Sequence, residues 1–131
     1  MSEPSNAVQK AIYQALTVGS PSPVAASVYD HVPQNASYPY VVIDAQETAE
    51  DDHLTEQLDE RFLYLSVWSR QRGQKEVNTL MGQIHDALHQ QRFSMDTGRM
   101  VNCLVIRKRT NLDSDGITYS GHVTVKVRTE H

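Results

Sequence analysis

His85 and His89 stand four residues apart, the spacing at which two imidazoles on one helical face can meet one metal ion. The metalloprotease form of that pair has glutamate directly after the first histidine; here Asp86 and then Ala87 follow, and no convincing third ligand stands elsewhere. Both histidines project onto the flank of an apolar stripe, where boundary residues are ordinary. Asp30, His31 and Cys103 could be drawn as a nucleophilic set, but Cys103 lies among valines and leucines, where a thiol is a small core residue with a raised pKa. The acidic stretch around Asp51 and Asp52 has carboxylates for a cation, yet it lacks the glycine and terminal glutamate of a calcium loop. These patterns predict no catalytic residue, no metal site and no cofactor.

Two charged features remain. Glu47, Glu50, Asp51, Asp52, Glu56, Asp59 and Glu60 form an acidic run answered only by Arg61. Such a run reads as a solvated loop held open by self-repulsion, or as an arm that meets a basic surface or lines a channel. Arg107, Lys108 and Arg109, extended by Arg99, Lys126 and Arg128, form one basic cluster on neighbouring strands. It either discourages strand addition at a sheet edge or meets a second copy of the chain.

The elements that place these groups follow from periodicity. Residues 1–5 read as a frayed end, after which Val8, Ala11, Ile12, Ala15 and Leu16 fall on one stripe of a helix stopped by Gly19, Pro21 and Pro23. Residues 29–37 contain Pro33 and a Gln-Asn-Ala-Ser turn, so they form a shaped loop. A strand over 40–46, a mobile acidic hairpin tip over about 48–57 and a strand over 58–68 come next. In the last of these Leu63, Leu65 and Val67 face one way and Phe62, Tyr64 and Trp68 the other. A second helix over 74–91 carries Val77, Leu80, Met81, Ile84 and Leu88 on one stripe. A short strand over 93–96 and a long one over 99–110 follow, the latter with Val101, Cys103 and Val105 on one face. The final strand places Ile117, Tyr119, Val123, Val125 and Val127 inward.

The expected fold is therefore α+β: a single mainly antiparallel sheet of four to five strands with two helices packed on one face. At 131 residues the chain makes one domain. No apolar run is long enough for a bilayer, the first ten residues lack the makings of a secretory signal, and the lone cysteine suits a reducing compartment, so the chain is expected in the cytoplasm that made it. A net charge of −4 argues against a dedicated nucleic-acid binder.

The loop carrying Tyr29, Asp30, His31, Pro33, Tyr38 and Tyr40 offers large amphipathic area suited to another protein. Its sequence, YDHVPQ, then YPYVVI and, after the acidic gap, VWS at Val67-Trp68-Ser69, resembles the small tail completion or tail terminator proteins of long-tailed bacteriophages, prophages and gene transfer agents. The order of helices and strands agrees with theirs over nearly the whole chain. The resemblance implies a structural virion protein at the head–tail junction, made in the host cytoplasm, that forms a hexameric ring, caps the tail tube protein and joins it to the head connector protein. DNA would meet it only in passage through the lumen, and no membrane is involved. On that reading Tyr29, Asp30, His31, Pro33, Tyr38, Tyr40, Phe62, Tyr64, Trp68, Arg107 and Arg109 are the expected oligomer or partner interface, and Glu50, Asp51, Asp52 and Glu56 the lumen or acidic arm. The competing readings are a small cytosolic enzyme or ligand-binding domain with a pocket under the corner of residues 29–40, and a dimeric adaptor.

Overall fold

The computed structural model describes residues 5–18, 23–52, 57–95 and 98–130, with the side chains of 50–52, 57 and 58 left undescribed. Helix α1 (Ser5–Thr17) leads to strand β1 (Ser27–Tyr29). Strands β2 (Tyr40–Asp52) and β3 (Gln57–Ser69) form a long hairpin, helix α2 (Lys75–Leu88) follows, and β4 (Arg99–Leu112) and β5 (Tyr119–Glu130) close the chain. The sheet runs β1-β2-β3-β5-β4 and is antiparallel except where β1 lies parallel to β2. Among the described residues no helix is long and apolar enough to cross a membrane.

One sheet face is the core. Period-2 alternation sends Leu63, Leu65 and Val67 of β3 and Val123, Val125 and Val127 of β5 to the same side, all essentially inaccessible. The helices supply the facing layer: Val8, Ala11, Ile12 and Leu16 from α1, and Val77, Leu80, Met81, Ile84 and Leu88 from α2. The α2 layer comes closest at Gly121 of β5, where a Cβ would lie 2.6 Å from Val77 Cγ1 and 2.8 Å from Met81 Sδ. Gly121→Ala is expected to lower stability by about 1–3 kcal/mol through overpacking. A urea denaturation series with Val77→Ala checks it, the double variant losing less than the two single losses combined.

Several boundaries differ from expectation, each for a local reason. The β2–β3 ladder continues to Asp52 opposite Gln57, so the strands run into the acidic stretch expected to form the tip, because β5 backs β3 as far as Leu58 opposite Glu130. Glu56 lies outside the described residues, as do Pro21, Gly19 and Asp96. β1 ends at Tyr29, the residue expected to open the shaped loop. Residues 93–95 form no strand; Phe93 and Met95 pack against the core instead. Helix α2 ends at Leu88, short of residue 91, because His89 is extended and Gln90 is left-handed at φ 59°. Val101 does not point inward: β4 bulges between Met100 and Asn102, and Met100 takes the buried position. Ile117 precedes β5 in a turn and is 61% exposed.

Candidate functional site: the aromatic corner and the open sheet face

The face of the sheet away from the helices begins at the corner where β1 meets β2. Parallel pairing sets Tyr29 opposite Val42, and its ring meets Tyr40 edge-on at 6.0 Å. Tyr38 lies 5.0 Å from Tyr40, and the Arg70 guanidinium sits 4.5 Å above the Tyr38 ring. Burial, then hydrogen bonding and charge from Tyr38, raise the Tyr40 hydroxyl above its ordinary pKa, with Arg70 opposing. Asp30, His31 and Pro33 are exposed on the loop, which Ala36 N–H closes on Pro33 O at 3.1 Å.

A polar relay ties this corner to the β4–β5 turn. Arg70 Nε donates to Thr118 Oγ1 at 3.4 Å, and that hydroxyl donates to Asp115 Oδ2 at 2.7 Å. Asp115 Oδ1 accepts Ile117 N–H and Thr118 N–H, both at 2.8 Å. These backbone bonds, with the threonine hydroxyl, hold the Asp115 carboxyl at about 2. A depressed folded value means the contribution is complete above the unfolded value of about 3.9 and is lost as pH falls from there toward about 2. Asp115→Ala is expected to lower Tm at neutral pH, the gap from wild type closing over that window; thermal scans at stepped pH check it.

Further along the same face Phe62, Tyr64 and Trp68 are half-buried side chains of β3. Tyr64 OH donates to Glu47 Oε1 at 2.7 Å, a bond that pushes its own pKa up. Trp68 Nε1 donates to Ser66 Oγ at 2.9 Å, and its ring meets His122 edge-on at 6.5 Å. The basic cluster divides here. Glu60 Oε1 lies 3.1 Å from both Lys126 Nζ and Arg128 Nη2, and these partners, Lys126 first, lower its pKa. Arg99 pairs with Glu130 at 2.6 Å. Register places Arg107 opposite Thr124 and Arg109 opposite His122 on this open face; both are exposed and have no ion-pair partner among the described residues. Lys108, between them, turns to the helix side and reaches His85 Nδ1 at 3.2 Å.

Cys103, His85 and His89 are engaged in building the frame. Cys103 is buried on β4, four strands across the sheet from the corner bearing Asp30 and His31, and burial pushes its thiol up to about 12. His89 Nδ1 accepts Val105 N–H at 3.1 Å, and His85 Nδ1 accepts from the Lys108 ammonium, so both rings carry their proton on Nε2. A metal at Nε2 would require each ring to exchange tautomers and give up its bond. Beside the corner is a cleft of about 270 Å³ bordered by Pro39, Glu76, Leu80 and Gln83. Glu76 Oε1 accepts Ser69 Oγ at 2.6 Å and Gln83 Oε1 accepts Ala25 N–H at 2.8 Å, so its polar walls hold loops together.

What remains is a surface for contact, and comparison with known proteins supplies the family. The family model of the tail completion protein gp17 matches residues 10–130. The chain belongs to the tail completion protein family. Its fold is similar to a chain in the virion of a native gene transfer agent particle, with a TM-score of 0.88 over 100% of both chains at 21% identity. Compared with curated protein sequences, the chain has no match. The family places this tail completion protein among the structural proteins of the virion tail.

Sequence reasoning missed the most connected side chain of the protein. Arg61, read from the sequence only as the answer to the acidic run, points into the core and is 0% exposed. Its Nε donates to Thr129 Oγ1 at 3.0 Å and Nη2 to Asp59 Oδ2 at 3.2 Å, while the two Nη1 hydrogens are shared among Ser5 Oγ, Gln46 Oε1 and Thr48 Oγ1 at 2.8, 3.2 and 3.1 Å. The signal was parity: Arg61 shares the register of Leu63, Leu65 and Val67, so in a strand of period 2 it had to face the helices.

Proposed function

We propose that this tail completion protein acts as a tail terminator: copies of it close into a hexameric ring that caps the tail tube protein and joins it to the head connector protein of a phage, prophage or gene transfer agent. It performs no reaction. Its work is assembly by mass action, through contacts that no single copy can satisfy. The observation that carries this reading is the open sheet face: among the described residues, no element covers the half-buried Phe62, Tyr64 and Trp68, and Arg107 and Arg109 lie at its edge without an ion-pair partner. Across the same face, at its β2 side, Glu47 is exposed beside Tyr64, with Asp44 exposed on the same strand.

Opposite charges at opposite sides of one sheet suit a head-to-tail contact that closes by rotation. In that ring Tyr29, Asp30, His31, Pro33, Tyr38 and Tyr40 contribute mating surface, and Glu50, Asp51, Asp52 and Glu56 line the passage, where negative charge keeps phosphate from adhering. Native mass spectrometry of the purified protein, alone and with tail tube protein, tests the reading. A closed multimer, alone or on the tube, is the expected species; a monomer that ignores the tube overturns it.

A further inference from the structure

The end of α2 closes on the middle of an edge strand. An edge strand leaves alternate backbone groups without a ladder partner. Along β4 two of them are taken by the reversal after Leu88: Gln90 N–H donates to Cys103 O at 2.7 Å, and His89 Nδ1 accepts Val105 N–H. One turn earlier His85 stacks on His89 with ring centroids 4.5 Å apart and planes 23° from parallel. Lys108 Nζ lies against His85 from β4, while Arg107 and Arg109 belong to the opposite face. From the helix itself Asp86 faces the pair.

We propose that His85 and His89 form a proton-operated clasp on β4: neutral rings hold the end of α2 on the strand edge, and protonation releases it, opening the backbone of residues 103–105 to solvent. A protonated His89 carries hydrogen on Nδ1 and can no longer accept Val105 N–H. A protonated His85 sets a cation against the Lys108 ammonium and its stacked neighbour. Burial first, then Lys108 and His89, hold His85 below its ordinary value, with only Asp86 opposing. The clasp is therefore shut at neutral pH, and its contribution is lost as pH falls below about 6.5 toward the depressed folded value.

Hydrogen exchange at the Val105 amide, corrected for intrinsic rates, tests this between about pH 7.5 and about pH 5. Protection is expected to fall about tenfold or more in step with ring titration followed by NMR, while the Val127 amide, in the neighbouring strand β5, stays protected. Lys108→Met should shrink the pH-dependent loss of protection, because without the ammonium the closed state tolerates a protonated His85, and His89→Gln, which leaves His85 to titrate, should reduce the dependence without abolishing it. Protection of Val105 that persists to the lowest pH, a pH-dependent loss unchanged by Lys108→Met, or simultaneous loss at Val127 overturns the clasp.

Discussion

Replacing Arg61 by methionine is expected to cost about 3–5 kcal/mol of folding stability, a fall in Tm of roughly 10–20 °C for a domain of this size. The side chain is fully buried, and its five donated bonds reach α1, β2, β3 and β5. Methionine fills similar volume, so the loss is electrostatic: Asp59, only 6% exposed, loses the guanidinium that lies 3.2 Å from its Oδ2. A buried ion left without its counter-ion costs more than the intact pair contributed. Two controls separate this from lost packing. Arg61→Lys keeps the charge but cannot hold five acceptors in one plane, and it should recover only part of the loss. Adding Asp59→Leu to Arg61→Met removes the carboxylate that faced the guanidinium and should restore stability relative to the single variant. Urea unfolding of the three variants checks the order, and a double variant as unstable as the combined single losses would show that packing governs the site.

The same residue shows how far the sequence could be read. Alternation in β3 and β5 and the stripes of α1 and α2 specify the two-layer architecture, because burial of one face fixes each strand's register. Features that depend on a neighbour were not visible. The three residues of β1 become a strand only because Tyr40, Val41 and Val42 offer them an edge. Val101 would point inward in a regular strand; the bulge that turns it away belongs to the β4–β5 pair. Helix α2 stops at Leu88 because His89 and Gln90 leave it to bond β4. At the candidate site the types of residue were legible, aromatic at the corner and basic along the last strands. Which cations were already spent was not, since Lys126, Arg128 and Arg99 find Glu60 and Glu130 only once the strands are side by side.

Reversing both free arginines, Arg107→Glu with Arg109→Glu, is expected to abolish the closed multimer while leaving the fold intact. Both side chains are exposed on the open face, so the change buries nothing and its effect on stability should stay within about 0.5 kcal/mol. Assembly is another matter. At a contact where these guanidiniums meet the acidic run of a neighbouring copy, each desolvated charge pair that is lost costs about 2–5 kcal/mol, and a glutamate in its place adds repulsion. Every 1.4 kcal/mol or so is tenfold in association, and in a ring the penalty recurs at every joint. The partnered cations provide the internal control. Lys126→Glu disturbs a charge already answered by Glu60 within the copy, and it should shift assembly far less. Salt distinguishes the causes further: wild-type assembly should weaken as ionic strength rises, because exposed charges are screened over about 10 Å at 0.1 M. The reversed variant has no such attraction to lose. Sedimentation velocity across a salt series reads all three proteins. A multimer that survives the double reversal at every ionic strength would separate the ring from its charge pairing and leave Phe62, Tyr64 and Trp68 as the contact.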